Sequence, residues 1–169
     1  MIIAHLTGDS VTSNSEEAFS LNEKSIFGEK KSNKIEYSPV ESLYLIDSKK
    51  MQVHKNKVIS FDSFFKIFKK KDKRLEIKYT VFKDMRKKGY IIKTALKYGA
   101  DFRVYDKGLK PTETHAKWIL FVTSAHLILS WQEFAAKNRI AHSVNKNLLI
   151  AIVDDEGDIS YYEVSWVKT

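Results

Sequence analysis

The hydrophobic pattern of the chain changes at Gly89. Before it, four phenylalanines between Ser60 and Lys69 recur at the spacing of one helix face, which predicts an amphipathic helix starting near Ser60. A second helix is predicted over residues 75–88. Gly89 is suited to end it, because glycine readily adopts the positive φ found after helix C-termini.

Beyond Gly89 the pattern becomes strand-rich, with β-branched and aromatic residues in short segments. The predicted strands cover residues 90–93, 101–105, 115–123, 148–153 and 160–167. One helix interrupts them, predicted over 131–138 with Ser130 as its cap. Strands and helices alternating in this way, with long connections, predict a mixed sheet flanked by helices, which is an α/β domain.

The first part of the chain predicts a smaller unit of mixed structure. Ser38, Pro39 and Glu41 form a capping-box pattern with proline at the first helical position. Short strands are predicted over 51–53 and 58–59 around a polar turn at 54–57. The serine-rich segment 10–20 is predicted to be a loop with a short helical turn. We place the domain boundary near the start of the second helix, giving domains 1–74 and 75–169.

Composition narrows the function classes. Hydrophobic residues make up 43% of the chain, aromatic residues 12%, cysteine is absent and the net charge is +8. The chain lacks the roughly 20-residue apolar run of a membrane span and the pattern of a signal peptide, so we expect no membrane association. The absence of cysteine excludes disulfides and thiol chemistry and fits a reducing cytoplasm. The positive charge favours a polyanionic partner, since cationic contacts to phosphates release counterions.

Three residues combine into a chemically meaningful set: Tyr105, His115 and Lys146. Each alone is ordinary, since tyrosines often end strands and histidines and lysines often lie in solvated loops. Together, a phenol, an imidazole and an ammonium can break an RNA strand with the RNA's own 2′-hydroxyl as nucleophile, and the set contains no metal-binding carboxylate. We therefore expect no metal and no cofactor.

The sequence around this trio resembles the archaeal tRNA-splicing endonucleases (tRNA-intron endonucleases), in which a Tyr, His, Lys triad occurs in this order. The matching segments are 82–90, the Tyr-Gly-Ala-Asp-Phe-Arg run at 98–103, Ser143-Val144, and 153–158 leading to Tyr161-Tyr162. The first half matches more loosely, at 27–28, 42–46 and 60–61. Ala95-Leu96 departs from the family pattern, where a glycine is expected after Lys93-Thr94.

The resemblance implies a fold and an activity. The fold is a restriction-endonuclease-like C-terminal domain behind a small α/β N-terminal domain. The activity is cleavage of precursor tRNA at intron–exon junctions, leaving 2′,3′-cyclic phosphate and 5′-hydroxyl ends. By resemblance, Tyr105 is the base, His115 the acid and Lys146 the electrostatic stabiliser. Tyrosine in water has a pKa of about 10, and a neighbouring cation such as Lys146 would lower it.

The resemblance also implies an RNA contact and a subunit contact. Arg139 stands where the family has an arginine that clamps an extruded intron base. The opposite face of the clamp is either Trp166 or Tyr161. Alternatively, Arg139 has no RNA contact and is simply a cation at a helix C-terminus.

The acidic segment containing Asp154, Asp155 and Asp158 resembles the family's loop that inserts into an opposing subunit. As a bare sequence this segment predicts a hairpin turn. The resemblance leaves the assembly open between a homotetramer and an α₂β₂ heterotetramer with a structural subunit.

The sequence also allows other interpretations of the chain and of some of its segments. The chain could be a non-catalytic RNA-binding or structural subunit, although such subunits lose the triad. Glu76-Ile77-Lys78 formally matches a metal-dependent nuclease element but falls in a predicted helix. The basic run 69–74 is either an RNA-binding patch or a solvated helix end. His126 is predicted to be packed, and His142 is an alternative lining residue of the site.

Overall fold

The computed structural model describes residues 1–167 and 169, and the chain divides into two compact units, Met1–Tyr79 and Thr80–Thr169. Each unit contains one mixed sheet with helices, which confirms the predicted α/β class. The division falls inside a helix, a few residues after the predicted boundary between 74 and 75, which stays a prediction. In the described part of the chain, no helix is long and apolar enough to cross a bilayer.

The first unit is built on a six-stranded sheet in the order β3-β4-β2-β1-β5-β6, in which β1 and β5 are parallel and the other pairs antiparallel. Its elements are β1 (Ile2–Thr7), β2 (Ser10–Ser13), α1 (Glu16–Ser25), β3 (Glu29–Lys31), β4 (Lys34–Tyr37), α2 (Pro39–Asp47), β5 (Met51–Lys55), β6 (Lys57–Ile59) and α3 (Phe61–Lys69). Helix α4 (Leu75–Lys87) follows and contains the division between the units.

The capping box predicted for α2 is present. The side chain of Ser38 accepts from the backbone N–H of Glu41, and the Glu41 carboxylate accepts from the backbone N–H of Ser38 at 3.0 Å. Glu41 is buried, and its other oxygen accepts from the backbone N–H of Gly28 at 2.9 Å. This buried carboxylate therefore joins the start of α2 to the chain entering β3. The cap predicted at Ser60 for α3 is also confirmed.

Over residues 10–20 the predicted helical turn is confirmed, and the predicted loop is wrong. That segment contains β2 and the first turn of α1. Ser15 caps α1 by accepting from the backbone N–H of Ala18, so one serine of the run initiates regular structure. Val11 and Ser13 are buried, and Ser10 and Thr12 are partly exposed, so β2 has the alternation of a strand. The alternation is not visible in the sequence because three of the four residues are polar.

The second unit is built on a five-stranded sheet in the order β11-β10-β9-β8-β7, with β9 and β10 parallel and the other pairs antiparallel. Its strands and helix are β7 (Ile91–Thr94), β8 (Phe102–Tyr105), β9 (Trp118–Ser124), α5 (Trp131–Ser143), β10 (Asn147–Val153) and β11 (Ile159–Val164). A short 3₁₀ turn, Leu96–Tyr98, joins β7 to β8.

Among the element boundaries that differ from the predictions, two concern the candidate site. Strand β9 starts at Trp118 rather than at His115. Helix α5 continues to Ser143 rather than ending at Asn138, because Ala141 is fully buried and extends the apolar stripe of the helix. Gly89 has a φ of 89°, which confirms that it ends α4.

One face of this sheet packs against α5. The core there is formed by Ile119 and Phe121 of β9, Leu148 and Ile150 of β10, and Ala141 of α5. On the other face, Phe82 of α4 contacts Phe102 of β8, with ring centroids 6.1 Å apart. The sheet thus packs against α5 on one face and contacts α4 on the other.

Candidate active site

The strand register brings the segments that carry Tyr105, His115 and Lys146 to one end of the second sheet. Val104 pairs with Trp118, and Trp118 pairs with Asn147, so these three residues form one row across β8, β9 and β10. Because β8 is antiparallel to β9 while β9 is parallel to β10, this row lies where β8 ends and where β9 and β10 begin.

One residue beyond the row lie Tyr105, Lys117 and Lys146. Two strand spacings separate the Cα atoms of Tyr105 and Lys146, about 10 Å. We call this the Tyr105 end of the sheet; β7 begins and β11 ends there too.

A specific helix terminus fixes the position of Lys146. The backbone N–H of Asn145 donates to the carbonyl of His142 at 3.0 Å, and that of Lys146 donates to the carbonyl of Ala141 at 2.9 Å. Asn145 has a φ of 60°. These two bonds and the left-handed residue constitute a Schellman motif, with asparagine in the position that glycine usually occupies. Lys146 therefore leaves α5 in a defined direction and enters β10 immediately.

His115 lies in the connection between β8 and β9, not in the strand. Its side chain is exposed, while the next residue, Ala116, is buried. The turn before it is closed by bonds from the backbone N–H groups of Glu113 and Thr114 to the carbonyl of Lys110 at 2.9 and 3.1 Å. The imidazole of His115 is therefore open to solvent, while the backbone beside it is anchored by the buried Ala116.

Tyr105 is the last residue of β8 and is only 5% exposed. Since side chains alternate along a strand and Arg103 pairs with Ile119, Tyr105 points to the face that packs against α5. Lys146 follows directly from α5 on that same side. The phenol and the ammonium thus approach the end of the sheet from one face.

The residues predicted for base clamping separate into two locations. The ring of Trp166 contacts the ring of His142 edge-on, with centroids 4.3 Å apart and planes at 82°. Arg139 lies three residues before His142 and is exposed, so the two side chains are neighbours on α5. Trp166 is 58% exposed. Trp166, His142 and Arg139 therefore lie together beside the Tyr105 end.

Tyr161 lies on the other face of the sheet. Its hydroxyl donates to the carboxylate of Asp84 on α4 at 2.7 Å, and the ammonium of Lys88 lies 4.8 Å from its ring centroid. Burial and then the hydrogen bond to Asp84 raise the pKa of Tyr161 well above its ordinary value. These contacts tie β11 to α4 on the sheet face opposite α5. Whether Trp166 or Tyr161 opposes Arg139 stays a prediction.

The acidic residues lie at the opposite end of the sheet, in the hairpin between β10 and β11. One oxygen of Asp154 accepts from the backbone N–H groups of Glu156 and Asp158 at 3.0 and 2.9 Å. Both carboxylate oxygens of Asp155 lie 2.8 Å from Nε2 of His126. Asp154 therefore builds the turn itself, and His126 is exposed rather than packed as predicted.

The competing nuclease element is engaged in ion pairs of the first unit. Glu76 pairs with Lys69, and Lys78 pairs with Asp72 at 2.7 Å. Lys71 pairs with Asp9, so the basic run 69–74 is partly neutralised, as expected for a solvated helix end. Within residues 1–167 and 169, no group of three or more His, Asp or Glu side chains is arranged to hold a metal ion.

Comparison of the chain with known proteins identifies a family. Residues 2–65 match the family described as tRNA intron endonuclease, N-terminal domain, and residues 75–161 match tRNA intron endonuclease, catalytic C-terminal domain. The chain belongs to the tRNA intron endonuclease family. It contains both domains of that family in the family's order, and it is an endoribonuclease.

Relatives named tRNA-splicing endonuclease extend the match over nearly the whole chain. The protein from Thermococcus onnurineus (strain NA1) is 39% identical over 165 residues, covering 96% of this chain and 95% of its own length. The protein from Pyrococcus horikoshii is 40% identical over 166 residues, covering 97% and 95%. The protein from Nanoarchaeum equitans (strain Kin4-M) is 43% identical over 136 residues, covering 76% and 87%.

Two features of this chain were not predicted from its sequence. The first is Asn145, whose tolerance of positive φ sets the entry of Lys146 into β10; an asparagine directly before the lysine was the available signal. The second is Lys117, which the register puts between Tyr105 and Lys146. No periodicity points to Lys117, because its position depends on pairing between strands distant in sequence.

Proposed function

We propose that this chain cleaves precursor tRNA at intron–exon junctions by internal attack of a ribose 2′-hydroxyl, without a metal ion. The observation that carries this proposal is the common location of Tyr105, His115 and Lys146 at one end of the sheet. The family membership supplies the substrate class, and the chemistry of the three groups supplies the reaction.

In the proposed reaction the deprotonated phenol of Tyr105 takes the proton from the 2′-hydroxyl, and the 2′-oxygen forms a bond to phosphorus. The bond from phosphorus to the 5′-oxygen breaks, and His115 gives that oxygen a proton. The products are a 2′,3′-cyclic phosphate and a 5′-hydroxyl. Lys146 stabilises the additional negative charge on the phosphoryl oxygens in the transition state. An imidazole suits the acid role because its ordinary pKa of about 6.5 is close to neutrality.

A base-binding role is proposed for Arg139 and Trp166. A guanidinium is planar and weakly hydrated, so it stacks on a nucleobase, and base–indole stacking contributes about 1–3 kcal/mol. Trp166 is preferred over Tyr161 because its ring is exposed and contacts His142, one turn from Arg139. Arg139→Lys keeps the charge and loses the stacking plane, so weaker RNA binding by this variant would favour stacking over simple charge attraction.

The decisive experiment uses precursor tRNA with and without a single 2′-deoxy nucleotide at the scissile position. Under single-turnover conditions, we expect cleavage of the all-ribose substrate in excess EDTA and no cleavage at the deoxy position. Product ends are read by their response to phosphatase and kinase. Cleavage at the deoxy position would refute the internal nucleophile, and inhibition by EDTA that added Mg²⁺ reverses would refute metal independence.

The alternative of a non-catalytic subunit is tested by the same assay with Tyr105→Phe and His115→Ala. If the purified wild-type chain is inactive alone but becomes active with a partner, the variants decide which subunit performs the chemistry. Light scattering of the wild type, alone and with the partner, distinguishes a homotetramer from an α₂β₂ assembly.

A further inference from the structure

We propose that Lys117 and Lys107 bind the RNA phosphates next to the scissile one. This inference rests on the proposed function and adds to it two RNA contacts outside the Tyr, His, Lys set. Both lysines are exposed at the Tyr105 end of the sheet, and neither belongs to the clamp formed by Arg139 and Trp166.

The backbone fixes Lys117 between β8, which ends at Tyr105, and β10, which begins directly after Lys146. Its N–H donates to the carbonyl of Val104 at 2.9 Å, and its carbonyl accepts from the N–H of Asn147 at 3.0 Å. Lys117 is thus one strand spacing, about 5 Å, from Tyr105 on one side and from Lys146 on the other. A phosphodiester backbone lying across this end of the sheet would pass within reach of its ammonium group.

Aromatic rings support both lysine side chains. The ammonium of Lys117 lies 4.4 Å from the ring centroid of Trp118, and that of Lys107 lies 4.9 Å from the ring centroid of Tyr90. Tyr90 and Trp118 contact each other edge-on at 5.9 Å. Cation–π contacts restrict flexible side chains, so less entropy is lost when these lysines bind an anion.

The supporting ring of Trp118 is itself held in place. Its indole N–H donates to Glu163 at 2.9 Å, and the other oxygen of Glu163 accepts from the side chain of Asn147 at 2.6 Å. Both oxygens of this nearby carboxylate are therefore engaged. Glu163 orients the ring beneath Lys117, and its charge is partly offset by the donors that it accepts.

One carboxylate competes for Lys117. The ammonium lies 3.4 Å from Asp106, and both side chains are 46% exposed. An ion pair this exposed contributes little to stability. An ammonium has three N–H donors, and Asp106 engages one of them. Lys117 is therefore positively charged, oriented by its surroundings and still able to bind a phosphate.

The opposite end of the sheet provides a matched control. Lys97 in the 3₁₀ turn also lies over an aromatic ring, 5.0 Å from the centroid of Tyr98. Lys97→Ala removes one positive charge and one cation–π contact, as Lys117→Ala does. Lys97 is, however, far from the proposed path of the RNA. If only the overall charge mattered, Lys97→Ala and Lys117→Ala would weaken RNA binding equally.

The first measurement is RNA affinity against salt concentration for wild type, Lys107→Ala, Lys117→Ala and Lys97→Ala. We expect Lys107→Ala and Lys117→Ala to bind precursor tRNA roughly three- to tenfold more weakly at low salt, and each to reduce the log–log salt slope by about 0.7–0.9. Lys97→Ala should bind as the wild type does. Lys117→Gln, which keeps the aliphatic stem over Trp118, should bind as weakly as Lys117→Ala, and circular dichroism checks that each variant is folded.

The second measurement locates the contact. Single methylphosphonates, which lack the phosphate charge, are placed in turn at the phosphates flanking the scissile one. At one of these positions we expect the substitution to weaken binding by the wild type but not by Lys117→Ala, since a lost contact cannot be lost twice. If the affinity losses from the methylphosphonate and from Lys117→Ala are additive at every flanking position, the proposal for Lys117 is overturned. The same measurements with Lys107→Ala test Lys107. Wild-type cleavage of the unmodified RNA tests the proposed function separately.

Discussion

The backbone N–H of Asn147 donates to the carbonyl of Lys117 at 3.0 Å, which joins the first residue of β10 to the residue just before β9. This bond lies at the end of the seven-residue parallel pairing of β9 with β10, and that pairing sets the spacing between the strand that follows His115 and the strand that follows Lys146. The two segments are far apart in sequence, and the parallel pairing of β9 with β10 brings them together.

Replacing His115 with alanine should lower the single-turnover cleavage rate by roughly 10²–10⁴, the usual range for a lost general acid. Its exposed side chain makes few packing contacts, so RNA affinity and stability should change little. His5→Ala is a suitable control, because His5 is also exposed but lies on β1 of the first unit. Nearly full activity in His115→Ala would exclude His115 and make His142 the next candidate.

Asn145 should tolerate glycine but not valine. Its φ of 60° is readily adopted by glycine, whereas a β-branched residue in the left-handed region costs about 1–2 kcal/mol. We expect Asn145→Gly to keep wild-type stability and cleavage. Asn145→Val should lower the free energy of unfolding and also reduce cleavage, because Lys146 would leave α5 in a different direction. Chemical denaturation and single-turnover rates measure the two effects, and equal activity in both variants would show that the Schellman motif does not position Lys146.

In the acidic hairpin, we expect Asp154 to stabilise the turn, and Asp155 and Asp158 to supply charge for a contact with another subunit. Asp155→Lys with Asp158→Lys reverses charge while keeping the Asp154 carboxylate that accepts two backbone N–H groups. If this loop joins subunits, the double variant should have a smaller mass by light scattering, a near-native circular dichroism spectrum and reduced cleavage. Asp154→Ala should instead destabilise the turn. An unchanged mass in the charge-reversed variant would show that the loop is an ordinary hairpin.

Tyr161→Phe should weaken the attachment of β11 to α4 by about 1–2 kcal/mol near neutral pH, as expected for a lost hydrogen bond to a charged group at a partly exposed position. Burial and the bond to Asp84 raise the pKa of this phenol above its ordinary value, so the folded state holds the proton more tightly than the unfolded state. The stabilisation is complete below about pH 10 and is lost as the pH rises further. In thermal melts at increasing alkaline pH, the melting temperature of the wild type should fall more steeply with pH than that of Tyr161→Phe. Parallel curves would contradict the role of the hydrogen bond.

The amino-acid sequence alone determined the local features of this protein. The capping box of Ser38 and Glu41, the phenylalanine face of α3 and the helix stop at Gly89 each depend on residues within a few positions of one another. The candidate triad was also visible in the sequence, but through its resemblance to a family and not through any spacing that implies proximity.

Only the tertiary structure decided which residues meet. Pairing of β8 with β9 and of β9 with β10 puts Lys117 between Tyr105 and Lys146, and it assigns Tyr161 and Trp166 to different surroundings. A shift of one residue in strand register would turn each of these side chains to the other face. Register is set by the packing of entire strands against α4 and α5, and therefore by contacts between residues distant in the chain.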